Sequence, residues 1–552
     1  MDSRPLTMRR ARRGLAVLAA SGLLATVAVG GADAAASRAR PAASGSEAGW
    51  GRGTLTAADL HALVSQMTLS EAAGMVHGEG DPPNSAAANA SCAASAVGCV
   101  GEAGWIPGVA RLGIPPVRMT DGPAGVRLRH VETAMPAPVG LAATFDPGAA
   151  NRYGRTVGLA GRATNQDVWL GPMINQVNYP TAGRNFETLG EDPYLASQLV
   201  AQEVQGVQST GMIAELKHFI ENDFENGRGS ASVTIDDQTL HETELQAFAA
   251  GIAAGAGSVM CSYNRINDIY GCGNPTTLQT VLRQQLAFTG FVQSDWGAVH
   301  QTTDLYYGTD IEQPGNAAGT SNFGTALADA VTNGTPAVAA TADFPAYPAI
   351  SASQWKGALD TAVFYILNTM NKAGLLEGTQ YGSRFTGTPV PYVPARPDLA
   401  SLQQSEFAAA RSIAEESATL LRNDRGALPL SRGDQQGRGH GGLVVMGPTA
   451  VAPYIGGGGS AHVTPYDPAQ GPYDALSAAL GRRADLSYVP GYDLDGQVTP
   501  SSALSAPDPA AGYPNWTLTP ADAAFAGRPG LLRQQTTTDP VASGAQPVLY
   551  TG

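Results

Sequence analysis

Between residues 112 and 297 one unit recurs along the chain: a short apolar run, a polar Gly-containing cluster, then apolar residues at helical spacing. The apolar runs fall at 116–119, 168–170, 213–216, 258–261 and 291–292, and helix-like segments at 196–208, 241–254 and 278–288 lie between the later ones. Short apolar runs alternating with helical patterns predict a buried parallel sheet with crossover helices. The number of units predicts a (β/α)8 TIM-type barrel over residues 55–385. An open doubly wound sheet is the alternative, but it would want a phosphate-binding Gly-rich turn opening a helix, and no such turn occurs in the right context. In a barrel of this type the chemistry gathers at the C-terminal ends of the strands, and all five polar clusters stand there.

Upstream, apolar spacing over 60–75 predicts two short helices, the second capped by Thr68 with Glu71 completing a capping box. Residues 79–104 read as a polar loop. Residues 1–36 read as an export signal: Arg9, Arg10, Arg12 and Arg13 precede an apolar run over 15–29, and Ala32-Asp33-Ala34 offers small residues for cleavage. The run is short for a membrane span, so a secreted, soluble protein is expected. The paired arginines also permit twin-arginine export. Residues 37–54 form an Ala/Ser/Gly-rich leader. Downstream, the Pro-rich stretch 386–402 predicts an extended linker. A helix at 406–421 and a strand at 443–446 then open a second α/β domain over 403–500. Its glycines at 456–459 suit a loop whose backbone approaches a ligand or another domain. From 501 to 552 the periodicity fades, as in an inserted β-domain or a disordered tail.

Composition narrows the classes. At 552 residues, two or three domains are expected. The net charge of −14 argues against a nucleic-acid partner and suits an enzyme of neutral substrates. Of the basic residues only Lys217, Lys356 and Lys372 are lysines, which makes Lys217, inside a polar cluster, conspicuous. The four cysteines fall in two close pairs, Cys92 with Cys99 and Cys261 with Cys272. Two local disulfides are expected, with buried thiols as the alternative. No Cys/His spacing resembles a metal site, and no cofactor is expected.

The run at 291–294 stops at an acid followed by a tryptophan. That is how a barrel strand delivers one carboxylate to a sugar pocket, with an aromatic face beside it. With the other clusters, Asp121-Gly-Pro-Ala-Gly-Val-Arg127, Gly183-Arg-Asn-Phe-Glu187 with Gly190-Glu-Asp-Pro193, Lys217-His218-Phe219, Met260-Cys-Ser-Tyr-Asn264 and Ser294-Asp-Trp-Gly297, the chain resembles glycoside hydrolase family 3 in its β-glucosidase branch. The motifs occur in family order over roughly residues 60–315. The resemblance implies retaining double displacement with Asp295 as nucleophile. It implies that Asp121 accepts bonds from the 4- and 6-hydroxyls of a hexose, and that Arg184, Lys217 and His218 donate to its hydroxyls. Tyr263 then steadies the nucleophile and Trp296 stacks on the ring. Arg127 is read as a pocket contact or, equally, a scaffold ion-pair partner. Glu187, Glu191 and Asp192 are read as braces of their loop. Asn178 stands where the family often carries arginine, which removes one ion pair. The start of the second domain is similar to the family's α/β sandwich, and the region after Pro514 resembles the beginning of a PA14-type β-domain.

One part is missing from the pattern. In this branch the general acid/base is a glutamate contributed late by the sandwich domain, yet the last glutamate of the chain is Glu416, inside a helix. A second branch uses an Asp-His pair after the Lys-His motif, and residues 221–228 hold no histidine. The expectation is therefore an N-terminal piece or a truncated product, impaired in acid catalysis. The expected ligand is a small β-linked glucoside or oligosaccharide, with no nucleic acid and no membrane partner once the signal is removed. A β-xylosidase and a non-catalytic sugar-binding protein are the rivals; Asp121 leans toward a hexose, which has a 6-hydroxyl to hold.

Overall fold

The five apolar runs become strands, and a sixth precedes them. In the computed structural model of the chain the strands are β1 (Gly104–Ile106), β2 (Val117–Thr120), β3 (Val168–Trp169), β4 (Ile213–Phe219), β5 (Ser258–Cys261) and β6 (Phe291–Ser294). They hydrogen-bond side by side in that order. The structure describes Trp50 and residues 53–489, apart from 80–101, 129–130, 316–320, 342, 377–396, 425, 427, 431–442, 454, 467–468 and 482–485, and two short strands at Leu532–Arg533 and Tyr550–Thr551. From β2 to β6 every pairing is parallel, and every residue of these strands is buried, as expected of a sheet covered on both faces.

The all-parallel expectation needs one correction. β1 runs antiparallel to β2, with Trp105 opposite Arg118. The result is a curled mixed sheet, a TIM-like α/β half-barrel. Its two ends are linked by isolated bridges. Asp310 N donates to Val292 O (2.8 Å), Gly78 N to Glu312 O (2.8 Å) and Glu79 N to Trp105 O (3.1 Å), so the bonding runs from β6 through residues 310–312 and 76–79 back to β1.

Helices cover the sheet. Helix α1 (Ala57–Gln66) and α2 (Leu69–Met75) each start in a capping box, Thr56 with Asp59 and Thr68 with Glu71. Helix α3 (Pro147–Ala163) and α4 (Pro193–Ser209) each begin with an aspartate cap, Asp146 and Asp192, followed by proline at the first helical position. Helix α5 (Leu245–Ala253) continues a π-helical turn, Leu240–Glu244, and a π-helical segment spans Thr276–Gln285. Helix α6 (Ala352–Lys372) buries Trp355, Leu359, Val363, Ile366 and Met370 against the sheet's other cluster of core residues.

The pattern of apolar residues does not foretell α3. Its inner face carries only two large apolar side chains, Tyr153 and Val157, among alanines and glycines, because α3 and α4 cross at backbone contact: a Cβ on Gly154 would run into the carbonyl of Glu203, and one on Gly206 into that of Asn151.

Helix α7 (Leu399–Glu416) stands where the sequence predicts a second domain to open. It starts seven residues before the expected position because Asp398 supplies its cap, and it ends at Glu416 rather than at 421. Strand β7 (Leu443–Met446) pairs in parallel with β8 (Leu486–Val489). This pair leaves Val444, Met446 and Val489 exposed. Cys261 and Cys272 form a disulfide. Cys92 and Cys99, the export signal, most of the leader and linker, and 501–552 apart from the two short strands lie outside the described residues. Among the described residues, no helix is long and apolar enough to cross a membrane.

Candidate active site

The strand ends deliver side chains to one cavity of about 350 Å3. All eight residues singled out from the sequence line it: Asp121, Arg127, Arg184, Lys217, His218, Tyr263, Asp295 and Trp296. Asp121 follows β2, Tyr263 follows β5, and Asp295 with Trp296 follows β6. Lys217 and His218 are consecutive residues of β4, and consecutive strand residues ordinarily point to opposite faces. Both reach the cavity because the register of β4 against β5 slips between Leu216 and Phe219.

Asp295 is 8% exposed. Its Oδ1 accepts the backbone N–H of Trp296 (2.8 Å), while Oδ2 is buried without a hydrogen bond from the protein. His218 Nε2 stands 3.4 Å from Oδ2. Burial first, and then the charges of Arg184 and Lys217, push the imidazole's pKa well below the ordinary value, so His218 is neutral. Its backbone N–H donates to Asn175 Oδ1 (2.7 Å), and its Nδ1 faces the same oxygen at 3.3 Å. A proton on Nδ1 leaves Nε2 to accept from Arg184 Nη1 at 3.2 Å.

Arg184 is itself held by a two-pronged pair with Glu187, at 2.9 and 2.7 Å. Glu187 thus braces the loop as expected, and Asp192 does so as a helix cap. Tyr263 donates its hydroxyl proton to the carbonyl of Trp296 (2.9 Å) rather than to Asp295 itself. Burial and the nearby charge of Asp295 raise its pKa above the ordinary tyrosine value.

On the opposite wall, Asp121 faces two cations, Lys217 Nζ and Arg127 Nη1, each at 3.9 Å. Burial pushes its carboxyl up, and the Lys217 and Arg127 charges oppose that. Arg127 is thus at once a cavity residue and an ion-pair partner.

Sequence reasoning missed Arg228. It lines the cavity, lays its guanidinium 4.4 Å over the Tyr263 ring, and pairs with Glu225 at 2.7 Å. Its only signal was a charge in the loop after Lys217-His218. Asn175, which orients His218, gave no signal at all. The glycine-rich loop at 456–459 approaches the cavity. Gly459 and Ser460 line the cavity, and Gly457 lies so close to Phe186 that a Cβ there would strike its ring. Asn178 donates to Asp223 (2.8 Å) and Glu244 (3.3 Å), a neutral bond in place of an ion pair.

Residues 108–321 match the profile of the glycosyl hydrolase family 3 N terminal domain. A probable beta-glucosidase A from Aspergillus niger is 34% identical over 403 residues, covering 67% of this chain and 42% of that protein. The crystal structure of DesR, a beta-glucosidase from Streptomyces venezuelae in complex with D-glucose, superimposes with a TM-score of 0.63 at 37% identity, over 78% of this chain and 49% of that one. Beta-glucosidase 3B from Thermotoga neapolitana, in complex with glycerol, gives a TM-score of 0.61 at 27% identity, over 78% and 55%. The chain belongs to glycosyl hydrolase family 3, and it spans about half the length of these relatives.

Proposed function

We propose that this chain carries the glycone pocket of a retaining exo-β-glucosidase, with Asp295 as its nucleophile. The observation that carries the reading is the Asp295 Oδ2 atom: buried, without a hydrogen bond from the protein, and facing a cavity whose other groups are Arg184, Lys217, His218 and Asp121. A carboxylate oxygen so placed can attack an anomeric carbon while the donors around it hold the ring hydroxyls. Trp296 supplies an apolar face for the ring. The relatives named beta-glucosidase, one with glucose bound, support the same substrate class. Closure of the curled sheet into a full (β/α)8 barrel over 55–385, and export by the leader, belong to this reading.

In the first step, Asp295 Oδ2 forms a bond to the anomeric carbon as the bond to the aglycone oxygen breaks. That oxygen needs a proton. Among the described residues, the second domain brings Gly459 and Ser460 to the cavity, and neither carries a carboxyl. An aryl glucoside, whose leaving group is stable as the anion, suffers least from a missing acid; an alkyl glucoside loses on the order of 10²–10⁴-fold.

The test is hydrolysis of an aryl β-glucoside by the purified chain and by Asp295→Ala. The expected result is slow turnover that drops by ~10³-fold or more in the variant. Equal, background-level rates with retained glucose binding would favour a sugar-binding protein instead. Full-rate cellobiose hydrolysis would overturn the argument from the acid.

A further inference from the structure

Glu221, Asp223 and Glu244 each bring a carboxylate oxygen to within 4.8 Å of the others, and all three side chains are buried. Glu221 and Asp223 lie on the loop leaving β4, and Glu244 ends the π-helical turn before α5. A neutral group serves this cluster: Asn178 donates to Asp223 Oδ2 and Glu244 Oε1. Among the described residues, no ammonium or guanidinium acts on Glu221 or Glu244; the charges that act on Glu221 are those of the other two acids.

The donors do not go round. Glu221 Oε1 and Asp223 Oδ1 are buried without any hydrogen bond, on side chains 6% and 8% exposed. Buried carboxylates normally have a paired cation or a metal. Here two unpartnered oxygens stand in a cluster of three acids that holds no positive group of its own.

We propose that Glu221, Asp223 and Glu244 form a site for a divalent cation of calcium's size. Oxygens bound to one ion lie no further apart than twice the metal–oxygen distance. For Ca2+, at ~2.3–2.6 Å, that limit is about 4.6–5.2 Å; for Mg2+, at ~2.0–2.1 Å, it is about 4.0–4.2 Å. The three oxygens lie within 4.8 Å of one another, inside the limit of a calcium shell. An all-oxygen donor set selects hard cations over zinc or copper.

The site is tied to the pocket. Asn175, which favours the charged form of Asp223, accepts the backbone N–H of His218 at 2.7 Å and donates to its carbonyl at 3.0 Å. The loop that carries two of the acids continues through Glu225 to its ion-pair partner Arg228, which lines the cavity. A bound calcium ion therefore fixes the loop on which His218 and Arg228 depend.

The test uses the 552-residue chain stripped with EDTA and titrated with calcium chloride by calorimetry, with thermal unfolding measured in parallel. The expected result is one calcium per chain and a Tm that rises with calcium and less with magnesium. Asp223→Asn and Glu244→Gln are expected to weaken binding by on the order of tenfold or more. In EDTA their Tm should equal or exceed that of the unsubstituted chain, because one repelling charge is gone, which separates loss of a ligand from loss of the fold. Absence of binding heat together with an unchanged Tm overturns the proposal. So does an undiminished calcium response in both variants, which would put the ion elsewhere. Neither readout uses a glycoside, so the outcome is independent of the proposed activity.

Discussion

His218 Nε2 and Asp295 Oδ2 stand 3.4 Å apart with no hydrogen bond between them. The neighbours explain why. A neutral imidazole has one proton, Asn175 is placed to take it at Nδ1, and Arg184 donates to Nε2. The single Nε2 lone pair is therefore taken by Arg184, so His218 offers Asp295 Oδ2 no proton and that oxygen stays free to accept one from a bound ligand.

This arrangement predicts how His218 enters the pH profile. Its folded pKa is depressed, so below the ordinary value of 6.5 the unfolded chain binds a proton that the folded chain refuses. The contribution to stability is present above pH 6.5 and lost as the pH falls. His218→Gln should flatten that part of the stability curve. In the aryl-glucoside assay it should cut kcat/KM by ~10–100-fold, yet leave the midpoint of the acid limb in place, because His218 is not the group that titrates there. A shifted midpoint in the variant would show the histidine to be charged.

Arg184 can be separated from its charge. Its two-pronged pair with Glu187 fixes the guanidinium plane, so that Nη1 reaches His218 while the same group stays at the cavity wall. Arg184→Lys keeps a cation and loses the fork. The expected outcome is a KM raised by ~10-fold or more, with kcat less affected, and only a small loss of thermal stability. A variant with unchanged KM would remove Arg184 from substrate contact.

Much of the site was legible because its chemistry is written in consecutive letters. Asp295-Trp296 and Lys217-His218 stand directly at strand ends, and a strand end is readable from five or six residues. The supporting residues were not. Asn175 and Arg228 act only through the three-dimensional neighbours they meet, His218 and Tyr263, and nothing local marks them. In the fold, β2 to β6 show as apolar runs, whereas α3 hides because the close crossing at Gly154 and Gly206 leaves only Tyr153 and Val157 as large apolar residues to mark its period. β1 is three residues long and follows a loop, too short for any periodicity to declare its antiparallel direction.

The disulfide of Cys261 and Cys272 ties the end of β5 to a nearby turn, eleven residues on. Cys261 pairs with Ser294 in the sheet, one residue before the proposed nucleophile. Closing a loop of this size restricts the unfolded chain by roughly 2–4 kcal/mol. A Cys261→Ala/Cys272→Ala double variant should unfold at lower temperature by that order and lose kcat in addition, because the β5 end no longer fixes β6. If only stability falls, the bridge is a staple without influence on the nucleophile.

Glu203 offers the cleanest measure of what burial alone does to an acid here. It lies on α4 under the close crossing with α3, fully buried, and both carboxyl oxygens lack a hydrogen bond. Burial raises its pKa to about 8. Because the folded value is the higher one, the folded chain keeps a proton that the unfolded chain loses above the ordinary value of 4.5. The stability this group contributes is complete below pH 4.5 and is lost as the pH rises through about 8. Glu203→Gln has the shape of the protonated acid and cannot ionise. It should unfold at nearly the unsubstituted Tm at pH 4 to 5, and above it at pH 8 to 9, by on the order of a few kcal/mol. Parallel stability curves for the two proteins across that range would mean that Glu203 finds a partner at high pH, and that the α3–α4 crossing is looser than its glycine contacts imply.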